Sequence, residues 1–282
     1  MIDKIAELVS SYGGEWTHQK LAILETYLDK FTTVLKKQNF KLIYIDAFAG
    51  TGYVELQEQD AKYFVRGSAT IAAKINDKPF DKLVFVEKDP YRCAELEYLK
   101  EEHSDRHIQI ENSDANEFLN NLKLDWYDWR GVLFLDPFAT EVQWSTIETI
   151  ASFNALDTWI LFPTFAVARI LPTSKKPDEI SSRWADRLTT VYGDQSWRDL
   201  YRQSPQMDLF GNTEFKRNPG VDGLLSIYKN NLENLFGKRF LRKSRTLRNS
   251  SKSPLFEILF CVGNPRGIGP AKRIAKHILD HI

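Results

Sequence analysis

The chain has 282 residues, 43% of them hydrophobic and 27% charged, enough to bury a sizeable core without staples. Its 38 basic and 38 acidic residues cancel, so no overall field selects a partner and only local charge can. Two cysteines far apart, Cys93 and Cys261, exclude a disulfide framework or a cysteine metal site, and a reducing, cytoplasmic setting is expected.

In chain order, "MIDKIAELVS" carries acids early and does not read as a secretory signal, and no segment reaches the ~18 apolar residues of a membrane helix. "WTHQKLAILETYLDKFTTVLKK" places Leu21, Leu24, Leu28, Phe31 and Leu35 at helical steps, with Thr17 as the expected N-cap. Residues 1–39 therefore read as an N-terminal helical segment ahead of one domain, 40–282. Within that helix Lys20 reads as a surface lysine, or as one reaching a cofactor carboxylate. Five apolar runs follow: "KLIYID", "KLVFVE", "HIQIENSD", "GVLFLD" and "DTWILFP". Amphipathic stretches separate them, which predicts an α/β fold with a mostly parallel sheet and helices on both faces. The rhythm breaks over about 168–237, rich in Pro, Ser, Asn and charge, which reads as an insertion. "RFLRKSRTL", a polar loop and "LFEILFCVGN" then predict a C-terminal antiparallel hairpin, before a last helix.

In open parallel sheets the ligand lies beyond the carboxyl ends of the strands, at the switch in strand order. Those ends carry Asp46, Glu87, Asp114 and Asp136. An acidic edge repels phosphates and suits a ligand with hydroxyls, amines and a cation. The turn after Asp46 reads "AFAGTGYVE", not G-x-G-x-x-G, so a nicotinamide dinucleotide is disfavoured. S-adenosylmethionine fits: Asp46, with Ala47 and Phe48 beside it, faces the amine, and Gly50 and Gly52 admit backbone close to the methionine portion. Glu87, followed by Lys88, accepts from the ribose hydroxyls, and Asp114, before Ala115, from the adenine amine or simply as a helix cap. Ser68 is expected to cap the helix beginning at "GSAT", either as a plain cap or beside a seat for the cofactor's carboxylate. About a dozen residues, "ELQEQDAKYFVR", separate it from the glycine turn.

"EWTHQKL", "YIDAFAGTG", "GSAT", "VFVEKD", "FLDPFATEVQW", "ILFPT" and "EILFCVGNPRG" together resemble the three-Cys-motif partner (TcmP) family of class I methyltransferases. The likeness runs from about Glu15 to Gly267 and is weakest through the insertion. It implies a Rossmann-like methyltransferase fold, S-adenosylmethionine as cofactor, and a partner protein that carries the three cysteines.

"FLDPFATEVQW" resembles the (D/N)-P-P-(Y/F) signature of amino methyltransferases, one proline short. Asp136 and the Pro137 carbonyl each suit an amine N–H, and Phe138 suits the ring of a flipped base. The alternative for Pro137 is the first position of the following helix. Lys238, Arg239, Arg242, Lys243, Arg245, Arg248 and Lys252 form a run without acids, read either as a nucleic-acid surface or as a solvated edge hairpin. Arg169, Lys175, Lys176, Arg183, Lys216 and Arg217 add charge from the insertion, with Trp184 and Trp197 as stacking candidates. The expected activity is methyl transfer to a nitrogen of a nucleic-acid base. The alternatives are a protein or small-molecule methyltransferase, or a non-catalytic partner subunit.

Overall fold

The computed structural model describes residues 14–58, 61–171, 179–207, 213–217 and 220–282. Seven strands form the central sheet: β1 (Lys41–Asp46), β4 (Lys82–Glu87), β5 (Ile108–Asn112), β6 (Trp129–Leu135), β7 (Leu156–Phe162), β10 (Phe240–Arg248) and β11 (Pro254–Cys261). Their spatial order is β10-β11-β7-β6-β1-β4-β5. β5, β4, β1, β6 and β7 pair in parallel, and β11 alone runs against both its neighbours, β7 and β10. The C-terminal hairpin is thus where the sequence puts it.

The apolar runs of β1, β4, β6 and β7 are continuous because both faces of these inner strands are covered, and alternation sorts their residues into two cores. Leu42, Tyr44, Leu83, Phe85, Val132, Phe134, Trp159 and Leu161 point into one. Ile43, Ile45, Val84, Val86, Leu133, Leu135, Ile160 and Phe162 point into the other.

The first core is roofed by α1 (Glu15–Leu35) through Leu24, Tyr27, Leu28 and Phe31, and by the last helix, α9 (Ile268–His281), through Ala275, Ile278 and Leu279. The N-cap of α1 is Gly14, not Thr17, and Thr17 is buried in the first turn. The inward stripe extends to Trp16, whose ring stacks on Phe256 at 5.3 Å, so helix formation starts before the threonine. The second core receives α7 (Ser182–Tyr192) and α8 (Gly220–Phe236), which bring Leu188, Val191, Tyr192, Leu224, Tyr228 and Leu232 against the sheet. The segment 168–237, read as an insertion, therefore contributes packed core through α7 and α8, while its strands β8 (Tyr201–Met207) and β9 (Thr213–Arg217) pair with each other apart from the central sheet. Lys175 and Lys176 lie outside the described residues.

The stretch between the glycine turn and its helix forms a hairpin, β2 (Tyr53–Glu58) with β3 (Ala61–Arg66). Its ends meet: the Gly67 amide donates to the Gly52 carbonyl at 2.9 Å, and the Thr70 hydroxyl donates to the same oxygen. A Cβ on Gly67 would sit 2.8 Å from that oxygen, so only glycine permits the approach. In space, α2 (Ser68–Ala73) therefore starts beside the glycine turn.

Candidate functional site

β1 lies between β6 and β4, and the chain runs from β1 to β4 on one side but reaches β6 on the other only after β5. The switch in strand order is the β6/β1 boundary, and Asp46 and Asp136 stand on its two sides at the carboxyl edge. Asp46 ends β1 in register with Phe85 and Phe134. Its side chain is wholly buried. One oxygen accepts from the Tyr44 hydroxyl at 3.2 Å and the other from the Phe48 amide at 3.3 Å, with the Ser68 hydroxyl as a third donor. Burial pushes this carboxyl up to about 6, opposed by the Ser68 bond and reinforced by the nearby charge of Asp136. Tyr44, enclosed beside Asp46 and Asp136, is driven well above the ordinary phenol value by burial and by those charges, so it stays a neutral donor.

Ser68 does not cap its helix. Gly67 occupies the N-cap position without a side-chain bond, and Ser68, the first helical residue, turns its hydroxyl to Asp46. Ala47 is buried, its amide donating to the Phe134 carbonyl at 3.1 Å, and Phe48 packs half-buried against the second core. Gly50 and Gly52 take left-handed φ angles of 61° and 81°. A Cβ on Gly50 would meet nothing within 4 Å, so the backbone there faces open space. Glu87 is tied on both oxygens, accepting from the Gly50 amide at 3.0 Å and the Asp89 amide at 2.9 Å. The glycine turn is thereby pinned to the end of β4.

Asp114 caps α4 (Ala115–Asn121), accepting from the Asn116 amide at 2.9 Å. Partial burial would raise its carboxyl, but bonds from Asn116 and Glu117 and the Lys88 ammonium hold it below the usual value. Lys88 is largely exposed, 3.6 Å from the other Asp114 oxygen, and Ala115 is buried in the first turn.

Asp136 follows β6 directly and forms an ion pair with Lys20 of α1. The two side chains are only 16% and 10% exposed, and the Lys20 ammonium also lies 4.9 Å from the Trp16 ring. Lys20 is thus not a surface lysine. It sits four residues after Trp16, in phase with Leu24 and Tyr27, and that position on the inward stripe was the signal in the sequence. Pro137 is buried but starts no helix, because α5 (Trp144–Phe153) begins seven residues later, with Gln143 as its N-cap. Residues 136–143 form a loop in which Phe138 is half-exposed.

The basic run over 238–252 is largely engaged within the chain. Arg242 pairs with Glu233, and Lys243 with Asp280 at 2.8 Å. Arg239 donates to the Ala151 and Gly263 carbonyls, Arg245 to that of Ile282, and Arg248 to that of Lys252. Trp197 is wholly buried and offers no stacking face, while Trp184 lies 5.9 Å from the Arg183 guanidinium. Among the described residues no group of three or more His, Cys, Asp or Glu is placed to hold a metal, and no helix is long and apolar enough to cross a membrane.

The strand order, the single reversed strand and the position of the switch define a Rossmann-like fold of the class I methyltransferase type. No protein-family model matches the sequence, and no curated protein matches it. Solved structures do. A Legionella pneumophila protein of the DUF519 family model is 11% identical, over 92% of this chain and 89% of that one, with a TM-score of 0.49. Trm1 from Pyrococcus horikoshii, solved with S-adenosyl-L-methionine, is 10% identical over 92% of this chain and 58% of its own, at 0.42. An S-adenosylmethionine-dependent methyltransferase from Clostridium acetobutylicum is 10% identical over 85% and 92%, at 0.39. All three scores lie below 0.5.

Proposed function

We propose that this protein is an S-adenosylmethionine-dependent methyltransferase acting on a nitrogen of a nucleic-acid base. The observation that carries the reading is the acidic carboxyl edge around a glycine turn whose backbone faces open space at Gly50. Such an edge disfavours phosphates and suits a sulfonium nucleoside. Asp46, Ala47, Phe48, Gly50, Gly52 and Ser68 would hold its methionine portion. Glu87, fixed by two backbone amides with lone pairs to spare, would take the ribose hydroxyls, and Lys88, Asp114 and Ala115 would border the adenine. When bound, the cofactor supplies an electrophilic methyl group for in-line displacement by a nitrogen lone pair.

The chain's own part is positioning. The Asp136 carboxylate, paired through Oδ2 with the Lys20 ammonium, serves as an acceptor. An amine N–H donated to Asp136, with a second to the Pro137 carbonyl, draws the lone pair out of conjugation with its ring. Phe138 is the side chain suited to stack on that ring. The resemblance to the three-Cys-motif partner family adds a companion protein to this proposal. One observation favours a protein or small-molecule acceptor instead: Glu233 and Asp280 offset the charges of Arg242 and Lys243 on the surface that would meet phosphates.

Calorimetry with S-adenosylmethionine, followed by transfer of labelled methyl into a lysate fractionated into DNA, RNA, protein and metabolites, tests the proposal. Uptake of cofactor and label in a nucleic-acid base are expected. Asp136→Ala should keep cofactor affinity within about twofold while transfer falls by at least about a hundredfold. Label confined to protein or metabolites refutes the base reading, and absence of cofactor uptake refutes the whole.

A further inference from the structure

Lys20 and Asp136 put a cationic donor and an anionic acceptor side by side at the switch in strand order. The lysine comes from a helix 116 residues away in sequence, and its stem is buried along the roof of the first core. An ammonium carries three N–H donors. One goes to Asp136 and the cation leans on the Trp16 ring, which leaves donor capacity beside the carboxylate. Asp136 has a second oxygen, and the ion pair engages only Oδ2. Both side chains retain a narrow exposure, 10% and 16%. Removing such a pair from water is costly, and a pair of this kind is weak as a stabilising device. Its placement beside Asp46 and Tyr44, at the point where a ligand is expected, gives it a use in recognition.

We infer that Lys20 is the second half of the acceptor site: Asp136 takes an N–H from the amine to be methylated, while Lys20 donates to an unprotonated ring nitrogen adjacent to that amine. This rests on the methyltransferase reading above and narrows its substrate. The edge recognised is an amino group next to a ring acceptor, as on adenine or cytosine. A uracil or thymine edge offers no such amine. Lys20 is then a specificity-determining residue, and it does not hold the cofactor.

The test compares wild type, Lys20→Met and Lys20→Arg on single-stranded oligonucleotides containing adenine or cytosine, and on the same oligonucleotides with the adjacent ring nitrogen replaced by carbon (1-deaza- or 7-deazaadenine, 3-deazacytosine). Cofactor affinity is measured in parallel by calorimetry. For wild type, one ring-nitrogen deletion is expected to lower kcat/KM by about tenfold to a hundredfold. Lys20→Met should be slow on the natural base and indifferent to the deletion, with cofactor affinity unchanged. Lys20→Arg, which keeps the charge, should recover part of the discrimination. A cofactor affinity that falls tenfold or more in both variants would overturn the inference and assign Lys20 to the cofactor's carboxylate. Equal sensitivity to the deletion in wild type and Lys20→Met would overturn it in favour of a purely structural ion pair. Wild type that binds no cofactor, or methylates no base, refutes the underlying reading, an outcome visible before any variant is made.

Discussion

Replacing Asp46 by Asn removes a charge that folding has to bury. Burial, opposed by bonds from Ser68, Phe48 and Tyr44 and aided by Asp136, raises the Asp46 carboxyl from 3.8 to about 6. Between those values the folded chain holds a proton that the unfolded chain has released. The native state binds more protons there, so stability falls as pH rises through the window. The difference corresponds to about 3 kcal/mol, fully expressed once pH exceeds the folded value. Asn keeps an oxygen for the Phe48 amide and does not titrate. Urea denaturation of the two proteins, with matched m-values, is therefore expected to show the stability of wild type minus that of Asp46→Asn dropping by about 2.5 kcal/mol between about pH 4 and about pH 7.5, the rest of the change lying below about pH 4. A difference that stayed flat with pH, or moved the other way, would refute the reasoning. The same variant should bind S-adenosylmethionine more weakly, because a buried acid that lowers stability at neutral pH has its use in meeting a cation.

The closure of the hairpin onto the glycine turn makes Gly67→Ala severe, since its Cβ would press on the Gly52 carbonyl at 2.8 Å, and a loss of about 2 kcal/mol or more with weakened cofactor binding is expected in thermal unfolding and calorimetry. Gly50→Ala, which meets no atom within 4 Å but must hold a φ of 61°, should cost only about 1 kcal/mol. At the opposite edge of the sheet, Tyr27 donates to Asp157 at 2.6 Å, and Asp157 is itself raised to about 6, by burial first, against bonds from Tyr27 and the Gly263 amide. Tyr27→Phe should lower stability by about 1–3 kcal/mol at neutral pH and less in acid, where Asp157 is protonated, as followed by denaturant titration at both pH values.

The central strands β1, β4, β6 and β7 were legible because each is buried on both faces and reads as a continuous apolar run, and in β1, β4 and β6 an acid marks the carboxyl end. The C-terminal hairpin was legible for a related reason: "LFEILF" and "RFLRKSRTL" are separated by a polar loop too short for a crossover. The excursion at 53–66 was harder. Its alternation, Val54 and Leu56 facing polar neighbours, carried the signal of a strand, but nothing local states that its ends meet at Gly52 and Gly67. Ser68 and Thr17 looked like caps by residue type, and the packing of their neighbours gave each another place.

The sequence by itself determined the parallel sheet, the acidic rim and the glycine turn, since these follow from short-range patterns of burial and backbone freedom. Only the tertiary structure decided which charges meet. Lys20 finds Asp136 because α1 lies across the first core, Arg242 and Lys243 find acids on α8 and α9, and Trp197 is enclosed in the second core. Pairing between charges depends on distance in space, which falls off too steeply to be read from separation along a chain.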